Sequence, residues 1–144
     1  MKHLIKKILT VMGAVLIAAI LSSGSGIKGE ITELVEARTD IMNGYFCGHI
    51  NYYEAIGQIK KIEKGHLLEE DIQSMRDFFQ TDIEEVSEYE ISDIELTNTD
   101  ENLVCAVVTI DWTVSGPSGK EEIQEIYSVI MEKDEKNYKL VQFF

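Results

Sequence analysis

The chain has few of the residues that form disulfides in small secreted proteins or that bind metals and nucleotides. It has only two cysteines, Cys47 and Cys105, and a single proline, Pro117. The spacing of the cysteines, with 3 histidines in the chain, matches no pattern of paired zinc ligands. The dinucleotide-binding, Walker and His-Glu-x-x-His motifs are also absent. The sequence therefore predicts no metal and no cofactor, and it leaves open whether the cysteines form one disulfide or stay unpaired.

Positive charge is also scarce. The chain holds 13 basic and 26 acidic residues, and residues 27–144 contain every acid but only 10 of the basic residues, a formal charge of −16. Such a surface repels phosphates, so nucleic acids and anionic lipid surfaces are not expected partners. The acidity suits either solubility outside a cell or contact with a basic protein.

The first 26 residues differ from the rest of the chain. Lys2, Lys6 and Lys7 precede an uncharged run of 14 residues, from 8 to 21, and then small residues, 22–26. This order is typical of a signal peptide, whose apolar core takes about 7 to 15 residues. Extended over residues 4–26, it also allows a short uncleaved membrane anchor. We therefore expect an extracytoplasmic protein, either secreted or tethered by this segment.

Residues 27–144 are expected to form one α+β domain, with helices over about 29–80. A first helix over about 29–47 has its apolar residues on one stripe, a second begins after a capping Asn51 and ends at Gly65, and a third follows. The third helix is expected to carry Glu69, Glu70 and Asp71 in its first turn, where acids favour the helix dipole. Its expected apolar face is Leu68, Ile72, Met75 and Phe79.

After residue 84 the apolar period falls to two, which predicts four antiparallel strands. The clearest strand covers residues 102–114; the others are predicted at 88–97, 121–132 and 137–144, with a turn at Pro117. The apolar phase of the first strand reverses at Ser92 and Asp93, which predicts a bulge that bends the sheet. Of the last two residues, Phe143 and Phe144, one is expected to fill the core and the other to face a partner.

This order of elements resembles the cystatin-like α+β architecture, in particular the NTF2-like superfamily, over residues 29–144. In those proteins a curved sheet wraps a helix and leaves a conical pocket, and for this chain we expect about three helices packed on a curved four-stranded antiparallel sheet. The stretch 48–55, Gly-His-Ile-Asn-Tyr-Tyr-Glu-Ala, also resembles small exported proteins of unknown function from Gram-positive bacteria. Members of the superfamily serve as enzymes, ligand carriers or assembly domains, so the resemblance leaves function open.

The resemblance permits an isomerase-like or dehydratase-like enzyme, which needs a base beside an oxyanion donor. Asp111 or Asp93 is the candidate base, and Tyr89 or Tyr127 is the candidate donor. Ordinary places in a strand explain all four residues better. A pocket for a small ligand is the other possibility, and its candidate wall residues are Tyr45, Trp112 and Tyr127, although core packing explains these too.

The sequence thus favours a non-catalytic binding or assembly domain at the cell envelope. Its expected partner is an envelope protein or a second copy of the chain. A pocket enzyme or a small-molecule carrier is the alternative.

Overall fold

A computed structural model describes residues 26–78 and 85–144 as three helices followed by four strands. The helices are α1 (Ile27–Phe46), α2 (Tyr52–Ile62) and α3 (Gly65–Arg76), and the strands are β1 (Glu85–Thr99), β2 (Leu103–Gly116), β3 (Gly119–Asp134) and β4 (Asn137–Phe143). The predicted α+β class is confirmed. The signal or anchor predicted over residues 1–26 lies, except for Gly26, outside the described residues. No helix within the described ranges is long and apolar enough to cross a membrane.

The first two helices follow their sequence signals closely. The core-facing stripe of α1 is the predicted one, and it includes Ile31, Leu34, Val35, Met42 and Phe46. At the start of α2, Asn51 Oδ1 accepts from the Glu54 N–H at 3.0 Å, and Glu54 Oε2 accepts from the Asn51 N–H at 2.9 Å. The predicted cap is therefore a complete capping box.

The third helix begins earlier than predicted. Gly65, expected as the end of α2, is the first residue of α3 and has a φ of 67°, a conformation that favours glycine. The first turn of α3 consequently holds no acid, and the prediction that Glu69, Glu70 and Asp71 stabilise it is wrong. The buried positions of α3 are Leu67, Asp71 and Met75, and Phe79 lies outside the described residues.

The four strands form an antiparallel meander in the order β1, β2, β3, β4. Pro117 and Ser118 form the two-residue loop between β2 and β3, as the register of Gly116 with Gly119 requires. The predicted bulge at Ser92 is present, and two further register shifts interrupt β1. These irregularities bend the sheet and increase its twist.

The helices pack against one face of the sheet, called the inner face below. Alternate residues of β2 and β3 fill its core together with α1, and they include Val108, Ile110, Trp112, Tyr127 and Val129. A second apolar cluster lies between the helices around Phe46, Ile59 and Met75. The opposite, outer face of the sheet carries no helix among the described residues. Cys47 and Cys105 are free and half-buried.

Candidate functional site

A row of aromatic rings crosses the inner face of the sheet, one ring from each strand. Tyr89 lies 5.6 Å from Trp112, which lies 6.2 Å edge-on from Tyr127, and Tyr127 stacks on Phe143 at 4.6 Å. The register places Tyr89 directly opposite Trp112 and Phe143 opposite Val129. Trp112 Nε1 donates a hydrogen bond to the Tyr127 hydroxyl at 3.1 Å. The buried indole N–H is therefore satisfied inside the protein.

The row ends at a buried guanidinium. The Arg38 Cζ lies 4.6 Å from the centre of the Phe143 ring. Arg38 Nε donates to Asp71 Oδ2 at 2.8 Å and Nη2 donates to Oδ1 at 2.9 Å, a two-pronged pair between α1 and α3. Glu63, at the end of α2, brings a second carboxyl group to the same guanidinium, with Oε1 3.1 Å from Arg38 Nε. We call Arg38, Glu63 and Asp71 the acid pair cluster.

Glu63 is the unusual member of this cluster. Only 1% of its surface is exposed. Neither of its carboxyl oxygens accepts a hydrogen bond within the described part of the chain, because the Arg38 Nε–H points at Asp71 instead. Burial, followed by the negative charge of Asp71, raises the pKa of Glu63 to about 9. With one cation and two acids buried together, the cluster is neutral only when one carboxyl group keeps its proton.

Other carboxyl groups adjoin the tyrosines of the row. The Tyr127 hydroxyl donates to Glu125 Oε2 at 2.7 Å, and Tyr89 lies against Asp40 on α1. Burial first, and these acids second, raise the pKa of both tyrosines, so both phenols stay protonated at neutral pH. Burial also raises the pKa of Asp40. Each of the two tyrosines therefore keeps a neutral hydroxyl group next to a carboxyl group.

The structure divides the predicted ligand-binding residues between two places. Trp112 and Tyr127 lie together in the aromatic row, both almost fully buried. Tyr45 lies in the other apolar cluster, where its hydroxyl donates to the Met75 carbonyl at 2.7 Å and its ring packs edge-on against Phe78. The three residues therefore do not form one wall.

The candidate bases and the candidate donors lie on opposite faces of the sheet. The side chain of Asp111 on β2 points to the outer face and accepts a hydrogen bond from Gln124 Nε2 at 2.6 Å. Asp93 is exposed opposite Thr109, in the same outer phase. Tyr89 and Tyr127 point to the inner face, so the structure does not bring either aspartate to an oxyanion donor.

The reasoning from sequence missed the acid pair cluster, although one signal was present. Arg38 falls three residues after Val35 and four after Leu34, inside the apolar stripe of α1. A charged residue in such a stripe needs a buried partner of opposite charge. Nothing local in the sequence identifies those partners, because Asp71 is 33 residues away from Arg38.

The outer face exposes large apolar side chains. Ile126 on β3 is 68% exposed, and Phe144 beside it is 73% exposed. Phe144 exchanges both backbone hydrogen bonds with Ser128, which places its side chain diagonally from Ile126. We call Ile126 and Phe144 the outer patch. Along β1 the same face carries four exposed acids, Glu88, Glu90, Asp93 and Glu95.

No group of three or more metal-ligating side chains comes together in residues 26–78 and 85–144. Comparison of the chain with protein-family models, with curated proteins and with solved structures finds no match.

Proposed function

We propose that this protein is an exported, non-catalytic binding domain of the cell envelope, and that it binds a protein partner through the outer face of its sheet. The outer patch carries the proposal. Two large apolar side chains, Ile126 on β3 and Phe144 directly after β4, are more than two thirds exposed. Hydrophobic anchors of this kind, surrounded by polar residues, are typical of protein interaction sites.

The charges on the outer face of the sheet indicate which kind of partner fits. The exposed acids of β1 and the net charge of −16 on residues 27–144 favour a basic surface and repel a second copy of this chain. The same charges repel anionic lipids. A basic protein with an apolar centre is therefore the proposed partner.

The inner face supports a structural role for the aromatic row. Trp112 and Tyr127 are 1% and 4% exposed, and the described neighbours satisfy both polar atoms. The order of three helices and an antiparallel meander supports the proposal of an NTF2-like or cystatin-like architecture. In this proposal the helical face stabilises the sheet and the outer face binds.

A photo-crosslinking experiment tests the docking surface. The replacement Ile126→benzoylphenylalanine in the full chain is expected to give one discrete adduct in living cells. The matched control is Tyr53→benzoylphenylalanine, because Tyr53 is 84% exposed on α2, in the helical layer. An adduct at position 126 but not at 53, whose partner is basic, supports the proposal. No adduct, the same adduct at both positions, or an adduct of twice the chain mass overturns it.

Export is tested separately by mass spectrometry of the native N-terminus in fractionated cells. A chain that begins near Ser25 or Ile27 outside the cytoplasm indicates cleavage and release. An intact Met1 in the membrane fraction indicates a tether. An intact chain in the cytoplasm overturns the proposed location.

A further inference from the structure

The outer face carries an apolar surface that is larger than the outer patch. Alternation along β2, and its register with β3 without a shift, place five apolar or thiol side chains on this face. They are Leu103, Cys105 and Val107 on β2, and Ile126 and Ile130 on β3. We call these five residues the apolar band. Leu103 and Ile126 are exposed, and the other three are half-buried.

The centre of the apolar band lies inside the sheet, between paired strands. Cys105 and Val107 belong to β2, which pairs with β1 on one side and with β3 on the other. Ile130 pairs with Cys105 and with Gln142 of β4. The backbone groups here are engaged within the sheet, so only side chains are available to a partner. A partner that docks on them must satisfy its own backbone hydrogen bonds internally, as a helix or a sheet does.

The shape of the apolar band favours a helix over a sheet. The band covers two adjacent strands, which lie about 5 Å apart. Along these strands it extends from Leu103 to Ile126, which is paired with Thr109, a length of about 20 Å. A helix is about 10 Å across and covers this length with about 13 residues. A docked sheet would be wider and would also bury the acids of β1, which is unfavourable for charged groups.

Negative charge lies along one side of the apolar band. The four exposed acids of β1 face outward there, and Glu95 is directly opposite Val107. None of the four forms an ion pair within the part of the chain that the structure describes. On the other side, Lys64 and Lys139 already pair with acids, and Lys120 lies at the far end of β3, next to the turn. The band therefore suits an apolar stripe that has basic residues beside it.

We propose that the partner docks an amphipathic, basic α-helix on the apolar band, with its axis nearly along β2 and β3 and its cations toward β1. This inference rests on the proposed function and specifies the part of the partner that binds. Apolar residues at separations of three and four form the stripe that lies on the band. Lys or Arg residues beside that stripe meet the acids of β1. With the helices of the inner face, the docked helix makes the sheet the middle of three layers.

A synthetic peptide tests the mode of binding. The probe is acetyl-Ala-Leu-Lys-Gln-Ala-Leu-Lys-Ala-Leu-Lys-Gln-Ala-Leu-Lys-amide with a fluorescent label. As a helix it has its Leu residues on one stripe and its Lys residues along one flank of that stripe. Binding to the full chain is measured by fluorescence anisotropy. Proline in place of the eighth residue breaks the helix, keeps every charge and is expected to weaken binding by at least about tenfold. Glu in place of every Lys is expected to abolish binding.

Two protein variants locate the site of binding. Val107→Gln places a polar side chain in the middle of the apolar band and is expected to weaken peptide binding by about tenfold. Thr113→Gln is the matched control, because Thr113 is also half-buried on the outer face of β2 but lies opposite Glu122, away from the band. It is expected to bind like the wild type. The thermal midpoint of each variant verifies folding, and the proline peptide gives the answer even if Val107→Gln unfolds.

The outcomes separate this inference from the proposed function. Equal binding of the proline peptide overturns helix docking, and so does equal binding of the probe to Val107→Gln. An absent peptide signal together with a basic adduct at position 126 also overturns helix docking, but leaves the outer face as the docking surface. An adduct between position 126 and residues 1–25 of the same chain overturns both proposals, because the protein then covers its own band. A missing adduct at position 126 overturns the proposed function itself.

Discussion

Replacement of Glu63 by glutamine is expected to stabilise the protein at neutral pH and to remove the part of the pH dependence of stability that this carboxyl group contributes. Glu63 is fully buried, its oxygens accept no hydrogen bond from described residues, and its pKa is raised to about 9. Folding at pH 7 therefore requires this carboxyl group to take up a proton. Glutamine keeps the shape of the neutral acid and needs no proton.

The size of the effect follows from the pKa of Glu63 in the two states. The ordinary value for the unfolded chain is 4.5 and the folded value is about 9. Below pH 4.5 the acid is protonated in both states and its contribution to stability is complete. Between these two values the free energy of unfolding falls by about 1.4 kcal/mol per pH unit, because the folded state binds one more proton. At pH 7 the free energy of unfolding is therefore lower by roughly 3 kcal/mol. Because Glu63 and Asp71 lie against the same guanidinium and titrate together, this loss belongs to the pair.

Urea denaturation between pH 4 and pH 9 measures this dependence. The wild-type and Glu63→Gln curves are expected to converge near pH 4 and to separate progressively as the pH rises, with the variant more stable. Glu95→Gln, at an exposed acid on β1, controls for the change in net charge and is expected to run parallel to the wild type. Parallel curves for Glu63→Gln, or a variant less stable than the wild type at pH 8, would refute the assignment of the proton to this cluster.

Two further predictions concern other elements. Asn51→Ala removes the side chain that caps α2 and is expected to lower the free energy of unfolding, measured by urea denaturation, by about 1 kcal/mol. Asn51→Asp keeps the acceptor and is the control. An unchanged midpoint for the alanine variant would contradict the cap. Burial first, and then the negative charge of Glu85, raises the pKa of Cys47 to about 11. Because only the thiolate reacts, alkylation of Cys47 at pH 8, measured in a Cys105→Ser variant, should be roughly a hundredfold slower than alkylation of a free thiol. A labelling rate whose midpoint lies near pH 8.5 would show that Cys47 is an ordinary thiol.

Local physical signals made most of the fold predictable. The period of two placed all four strands, and the phase reversal at Ser92 located a bulge, because alternation along a strand is imposed by the backbone itself. Gly65 was predicted to end α2, because glycine at positive φ ends many helices, but here it is the first residue of α3. The acid pair cluster was not predictable, since its members come from three separate elements. The four strands could be read from the sequence, but the register that sets Phe144 opposite Ser128 could not.

The acid pair cluster also sets the geometry of the outer patch. Glu63 forms a β-bridge with Leu140, and the Lys64 N–H donates to the Leu140 carbonyl at 3.0 Å, so the end of α2 holds β4 in place. Arg38 covers the ring of Phe143, and Tyr127 stacks on it. Because successive residues of a strand point to opposite faces, fixing Phe143 inward turns Phe144 outward, beside Ile126. The buried Arg38 and Glu63 therefore act on the outer patch by position: they hold β4 so that Phe143 faces the core and Phe144 faces outward.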